Sequence, residues 1–308
     1  MGAVAGIVAP IFALILMGAG ARRFRLLDPA GLRGLHDLTF YLGIPALLFG
    51  AVVGTPALRI LDVGLLYFAG CVLVFVAGVA LARRTLGAGL AQASVLGLNC
   101  CYGNTVMMGV PMVAAAFGPD GVAILLPVIA LHSILLLPMA TMLIEADGHA
   151  TRNPLRILWR TGPSLIRNPV IVAITLALLW RGVGIPVPDP LHRLLAMLGA
   201  AAPTLALFSL GASLPDFAAQ GSLREAVLAT VLKLLALPAL VWAGAWAAGT
   251  PPLATAVLVL TAGAPTGANA FFLARRTGTL AAASAGAVVL STALSVMTLS
   301  AILALVRP

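Results

Sequence analysis

Apolar runs, each about long enough to cross a bilayer, alternate along the chain with short clusters of arginine, glycine and proline. A transmembrane helix needs roughly 20 mostly apolar residues. Cutting the chain at the polar clusters predicts ten such helices, at about 3–21, 35–53, 63–82, 91–117, 121–144, 166–183, 191–214, 223–248, 252–274 and 280–306. The longest hydrophilic stretch, roughly 145–165, carries Glu145, Asp147, His149, Arg152, Arg156 and Arg160 and is too short for a folded domain. It reads as a cytoplasmic linker between five spans in 1–144 and five in 166–308.

The two halves resemble each other. A shift of 159 sets Pro10 on Pro169, Arg22 on Arg181, Pro29 on Pro188, Leu32 on Leu191 and Leu35 on Leu194. At 158, Pro45 meets Pro203; at 154, Pro111 meets Pro265. The offset drifts smoothly, and the prolines carry most of the signal, as expected of a duplication. Five is an odd number, so the second copy enters the membrane from the opposite side. The predicted fold is therefore an all-α membrane protein of ten transmembrane helices in two inverted five-helix repeats.

Composition agrees with a polytopic membrane protein: 61% of the 308 residues are hydrophobic and 9% are charged, with a mean hydropathy of +1.11. The first apolar run has no basic residue before it and is followed by Arg22, Arg23 and Arg25, the reverse of a secretory signal peptide. Of the 18 basic residues, only Arg59, Arg181, Arg193 and Arg307 fall on one side of the predicted topology, and Lys233 lies inside a span. The positive-inside rule puts the other arginines in the cytoplasm and both termini outside, in a plasma (inner) membrane. The net charge of +9 is dispersed over short loops, so it reports orientation and gives no nucleic-acid surface. Cys71, Cys100 and Cys101 lie in apolar spans and read as small packing residues, without disulfide or metal spacing.

Two spans contain helix breakers where the bilayer is deepest. The fourth holds Gly103-Asn104-Thr105-Val106-Met107-Met108-Gly109-Val110-Pro111, and the ninth holds Gly263-Ala264-Pro265-Thr266-Gly267-Ala268-Asn269. Proline removes a backbone donor and glycine weakens the helix, so each span should divide into two half-helices around a short extended piece. Irregular backbone survives in hydrocarbon only where it lines a cavity or is buried in protein. With the fourth span running outward and the ninth inward, the breaks can cross near the midplane. Half-helix N-termini favour an anion, and Asn104, Thr105, Thr266 and Asn269 add neutral hydrogen bonds. The simpler alternative is a pair of ordinary proline kinks whose Asn and Thr bond to neighbouring helices.

Lys233 is the one lysine of the chain and lies about ten residues into the eighth span. An intramembrane charge is a functional candidate. It has two readings: a partner for an anionic substrate, or a fixed counter-charge for half-helix C-termini at the crossing. His132, in the middle of the fifth span, is a candidate for proton coupling, against the commoner role of a neutral, hydrogen-bonded histidine. No Asp or Glu lies deep in a predicted span, which disfavours cation exchange through a buried carboxylate and any binuclear-metal or general-acid enzyme. Ser209, Ser213, Asn99 and Gln92 read as interhelical bonding groups. No nucleophile elbow, P-loop or zinc spacing is present, so no cofactor is expected.

The motif Gly103-Asn104-Thr105-Val106-Met107-Met108-Gly109-Val110-Pro111-Met112, with Phe117-Gly118 following, is similar to the fourth-span motif of the auxin efflux carrier family, which includes the plant PIN carriers. Ala264-Pro265-Thr266-Gly267-Ala268-Asn269-Ala270-Phe271 resembles its ninth-span counterpart in the bacterial form. Pro10, Gly18, Arg22-Arg23, Leu26-Leu27-Asp28, Phe40-Tyr41-Leu42 and Ile44-Pro45-Ala46-Leu47-Leu48-Phe49 extend the likeness to the start of the chain. The resemblance implies a fold like that of sodium/proton antiporters and bile acid symporters, with a scaffold of helices 1, 2, 6 and 7 beside a mobile crossover domain of helices 3–5 and 8–10. It also implies organic-anion transport, often by homodimers. The family's substrate-binding asparagine corresponds to Asn104, and its ninth-span contacts fall near Pro265, Thr266 and Gly267. The long central loop of the plant carriers is missing here.

The sequence thus leads to the expectation of a secondary transporter, an efflux carrier moving a small organic anion by alternating access. Asn104, Thr105, Pro111, Pro265, Thr266, Gly267 and Asn269 would form its site, and Lys233 would compensate charge. A sodium-coupled symporter of the same fold is the alternative, with an intramembrane enzyme or a receptor more distant.

Overall fold

The computed structural model describes residues 2–54, 60–147, 169–217 and 223–306. Beyond Asp147 the predicted linker lies outside these residues, as do Arg59 and Arg307. The regular elements among the described residues are all helical: α1 (Gly2–Arg23), α2 (Pro29–Asp37), α3 (Ile44–Gly54), α4 (Ile60–Thr85), α5 (Leu90–Cys101), α6 (Val110–Leu131), α7 (Leu137–Asp147), α8 (Pro169–Val183), α9 (Asp189–Ser213), α10 (Leu223–Val231), α11 (Leu237–Ala247), α12 (Pro252–Ala262), α13 (Ala268–Thr277) and α14 (Ala281–Leu305). By length and composition, six stretches among the described residues can each cross a membrane: Val4–Arg23, Val63–Thr85, Thr105–Ile129, Asp189–Ser213, Leu223–Ala247 and Ala281–Leu305. Leu90–Cys101, Pro169–Val183 and Pro252–Ala262 are shorter apolar helices. The stretch Thr105–Ile129 is not one straight rod, because Gly118 inside it has φ 65° and ψ −158°. Glycine tolerates that conformation without steric cost, and the chain turns there between the predicted fourth and fifth spans.

Among the described residues four π-helical turns interrupt the α-helices: Leu38–Gly43, Thr105–Gly109, His132–Leu136 and Leu232–Ala236. Each ends two residues before a proline, namely Pro45, Pro111, Pro138 and Pro238. A proline in a helix has no N–H for the carbonyl one turn back, and its ring presses on that carbonyl. Widening the preceding turn relieves the contact while the helix continues. Pro111 was expected to open the fourth span. It sits instead one residue into α6, downstream of such a widened turn, and the helical path is lost earlier, between Cys101 and Thr105. The widened turn makes room for the Pro111 ring, so the helical path continues through it without a break.

The described residues fall into two compact units. One comprises those within Met1–Ile60, Val106–Leu126 and Pro163–Pro215. Here α1 lies along α9 at backbone contact: a Cβ on Gly18 would stand 2.0 Å from the Phe208 carbonyl oxygen, and one on Gly211 would stand 1.8 Å from that of Ile15. Small residues permit such approach between membrane helices, where packing supplies most of the attraction. An apolar cavity of about 590 Å³ also lies in this unit, walled by residues that include Phe49, Gly50, Val122, Leu195 and Gly199. His192 brings its one polar side chain, so this cavity offers little to hold a carboxylate.

The other unit comprises the described residues within Leu61–Thr105, Pro127–Gly162 and Asp216–Pro308. In it α4 approaches α5 through glycine, since a Cβ on Gly97 would stand 2.9 Å from the Phe75 carbonyl oxygen and one on Gly78 would meet Cys100 Sγ at the same distance. The three cysteines are free and buried. Asp147 Oδ2 accepts the Ala91 N–H at 2.9 Å, placing a carboxylate on the N-terminus of α5 as the helix dipole favours. Gln92, read as an interhelical group, serves the same terminus: its Oε1 accepts the Gly89 N–H.

Adding a methyl group at the α1–α9 contact should be costly. Gly211→Ala is expected to destabilise the detergent-solubilised protein by about 1–3 kcal/mol, read as a lower melting temperature. Gly20→Ala, on the same α1 but with open space around its Cβ position, should leave the melting temperature unchanged or raise it.

Candidate binding site at the paired breaks

The functional candidates converge where α5 and α12 stop. The α5 helix ends at Cys101, and Tyr102 turns extended at φ −77° and ψ 101°. The α12 helix ends at Ala262, and the chain resumes a helix at Ala268 after Gly267, extended at φ −81° and ψ 145°. The two extended pieces pair as one antiparallel bridge, Gly103 with Thr266. The Asn104 N–H donates to the Pro265 carbonyl at 2.7 Å, and the Gly267 N–H donates to the Tyr102 carbonyl at 2.9 Å. Each break therefore supplies the hydrogen-bond partners that the other lost on leaving its helix, which meets the requirement for satisfied backbone in hydrocarbon. The approach is close enough to require glycine: a Cβ on Gly267 would stand 2.9 Å from the Gly103 carbonyl oxygen.

Side chains from three neighbouring elements, and a backbone carbonyl of α5, secure this bridge. Thr266 is fully buried, and its N–H donates to Ser291 Oγ at 3.0 Å while its hydroxyl donates to the Asn99 carbonyl at 3.0 Å. Both of its polar groups are thus engaged within the protein. His132 Nε2 accepts the Gly103 N–H at 2.9 Å, which makes the ring a neutral tautomer with its proton on Nδ1, a nitrogen that is buried and has no partner. Lys233 is fully buried, and its ammonium donates to the carbonyl of Ala262, the last residue of α12. Its Cε and Nζ also lie 3.2 Å from where a Cβ of Gly103 would stand. The cation therefore touches both breaks and caps the negative end of a half-helix.

Access to this region is uneven. Asn104 is 8% exposed and Thr105 4%; Pro265 and Gly267 are buried, whereas Asn269 is exposed. Asn269 sits on the first turn of α13, whose N-terminus has no side-chain cap. Its Nδ2 donates to the Tyr102 hydroxyl at 3.0 Å. Of the residues predicted from sequence, Asn104, Thr105, Pro265, Thr266, Gly267, Asn269, Lys233 and His132 share this unit, while Pro111 belongs to the other.

Three contributors were not anticipated. Tyr102 joins the breaks through its carbonyl and its hydroxyl, and its ring stands 4.3 Å from that of His132. Ser284, Ser291, Thr292 and Ser295 form a buried hydroxyl stripe along α14, from which Ser284 accepts the Asn99 side-chain amide at 2.7 Å. Their spacing of seven, one and three residues keeps them on one helix face, a signal available in the sequence. The third is the π-turn itself: His132 and Lys233 both lie within turns widened ahead of Pro138 and Pro238.

A family model described as "Membrane transport protein" matches residues 3–303. Among curated proteins, the chain is 26% identical over 317 aligned positions to one from Rhizobium meliloti (strain 1021) named "Putative malonate transporter", covering 100% of this chain and 97% of that one. A match across nearly every residue, with both broken-span motifs inside it, identifies the chain as a bacterial member of this membrane transport protein family, the auxin efflux carriers.

Proposed function

We propose that this protein moves a small carboxylate across the membrane by alternating access, with the anion held at the paired breaks. The observation that carries this reading is an uncapped helix N-terminus at Ala268, bearing exposed Asn269, next to a crossing in which Asn104 is paired through its backbone to Pro265. Free N–H groups and amide side chains recognise a carboxylate without requiring a second buried charge. The name of the Rhizobium relative makes malonate the first substrate to test. Thr266 and Pro265 hold the backbone in this scheme; Asn104, Asn269 and the α13 N-terminus meet the ligand.

Lys233 acts as the counter-charge of the crossing, since its one described bond goes to the end of α12. It favours anion occupancy through the field it adds. Proton coupling through His132 finds no support in the geometry, because protonating Nε2 would set two donors, the imidazolium and the Gly103 N–H, against each other. The proposed architecture retains ten helices in inverted repeats, with helices 1, 2, 6 and 7 as scaffold and the crossover domain as the moving part, in a homodimer with both termini outside the inner membrane. The division into two compact units supports that scheme for helices 1, 2, 6 and 7 and departs from it at 106–126, which the scheme assigns to the crossover domain and which groups instead with the scaffold helices.

Two measurements test the reading. Proteoliposomes with wild-type protein should accumulate labelled malonate, and Asn104→Ala should reduce the initial rate at least about tenfold, the equivalent of roughly 1.4 kcal/mol, while keeping a monodisperse profile in detergent. Unchanged flux in the variant would remove Asn104 from the site. Lys233→Met strips the Ala262 carbonyl of its partner and should destabilise the protein by about 1–3 kcal/mol; a melting temperature equal to wild type would refute the capping role.

A further inference from the structure

Tyr102 has no counterpart among the residues that the sequence marked as ligands, yet it holds the one exposed polar side chain at the crossing. It is 3% exposed, and its ring is wedged beside His132. Its backbone carbonyl takes the Gly267 N–H and its hydroxyl takes an Asn269 amide hydrogen. The hydroxyl is therefore fixed from both ends: the main chain is pinned by the bridge, and the ring is pinned by an imidazole that is itself bonded to Gly103.

An exposed asparagine on the first turn of a helix otherwise samples several rotamers. Binding must then freeze it, and the ordering weakens affinity. With one Nδ2 hydrogen committed to the tyrosine oxygen, the amide plane is set in advance, and the second Nδ2 hydrogen and the side-chain oxygen keep defined directions. The Nδ2 hydrogen is the group that a carboxylate oxygen meets beside the α13 N-terminus. We propose that Tyr102 is a positioning residue for the transport reaction: it pre-orients Asn269 for the substrate carboxylate and so sets affinity for the anion while leaving the translocation step alone. This inference rests on the carboxylate reading above and adds a residue to that site.

Tyr102→Phe keeps the ring, the contact with His132 and the carbonyl, and removes the oxygen that accepts from Asn269. In malonate-loaded assays on proteoliposomes, Y102F should raise KM by roughly three- to tenfold, the range expected for one side chain left to be ordered on binding. Its kcat should stay within about twofold of wild type, since an interaction made equally in bound and transition states changes KM alone. Asn269→Ala should raise KM as well, and the double variant should bind malonate no worse than N269A, because on this assignment the hydroxyl reaches the substrate through that amide. The melting temperature of the unliganded Y102F protein should match wild type, while the upward shift produced by malonate shrinks.

A wild-type KM in Y102F, a fall in kcat at constant KM, or fully additive effects in the double variant would each overturn the assignment. Wild-type vesicles that accumulate no malonate would defeat the malonate reading, and this inference with it. Malonate accumulation by wild type combined with an unaltered KM in Y102F would defeat the role of Tyr102 alone.

Discussion

Backbone buried inside a protein has no solvent to turn to, and the rest of this structure is arranged around that constraint. Two apolar helices give up their hydrogen bonds at the same place, and the loss is offset because the interrupted pieces bond to each other across the Gly103–Thr266 bridge. A single broken span would leave orphaned amides and carbonyls, each costing several kcal/mol in hydrocarbon. The pair is stable as a pair. The surrounding polar side chains follow from it: His132 meets a leftover N–H, Lys233 and Thr266 meet leftover carbonyls, and Ser291 meets the Thr266 N–H.

Prolines shape the neighbourhood in two different ways. Pro265 lies within a true break, where the chain is extended and its missing donor is irrelevant. Pro45, Pro111, Pro138 and Pro238 instead follow π-turns inside helices that carry on. A π-turn displaces one residue outward from the helical path, and two of the four displaced turns carry His132 and Lys233. The same covalent feature, a ring closed on the backbone nitrogen, thus positions both the bridge and two of the groups that secure it.

Much of this was legible in the sequence because hydrophobic length and helix breakers report directly on a bilayer. The crossing partners Gly103 to Thr105 and Pro265 to Gly267 stand out as Gly/Pro/Asn clusters within apolar runs, and Lys233 stands out as a lone charge. Pro111 misled because proline interrupts a regular α-helix but is tolerated after a widened turn, and residue type alone does not distinguish the two. Tyr102 was hidden by its ordinary appearance: one aromatic in an apolar span gives no periodic or charge signal, and its importance arises from a contact with Asn269, 167 positions away. The partner of His132 was equally invisible, since the Gly103 N–H becomes available only after the helix has ended.

The contact at Gly267 has a consequence for how such a protein can diversify. Every amino-acid replacement there adds at least a carbon facing the Gly103 carbonyl, at a spacing with no slack, and backbone on the opposite chain cannot swing aside as a side chain would. A lineage under change would be driven to leave this position untouched and to vary its neighbour Asn269, whose side chain is exposed. Variation is thereby channelled to the rim, while the point of closest approach stays bare of side chain.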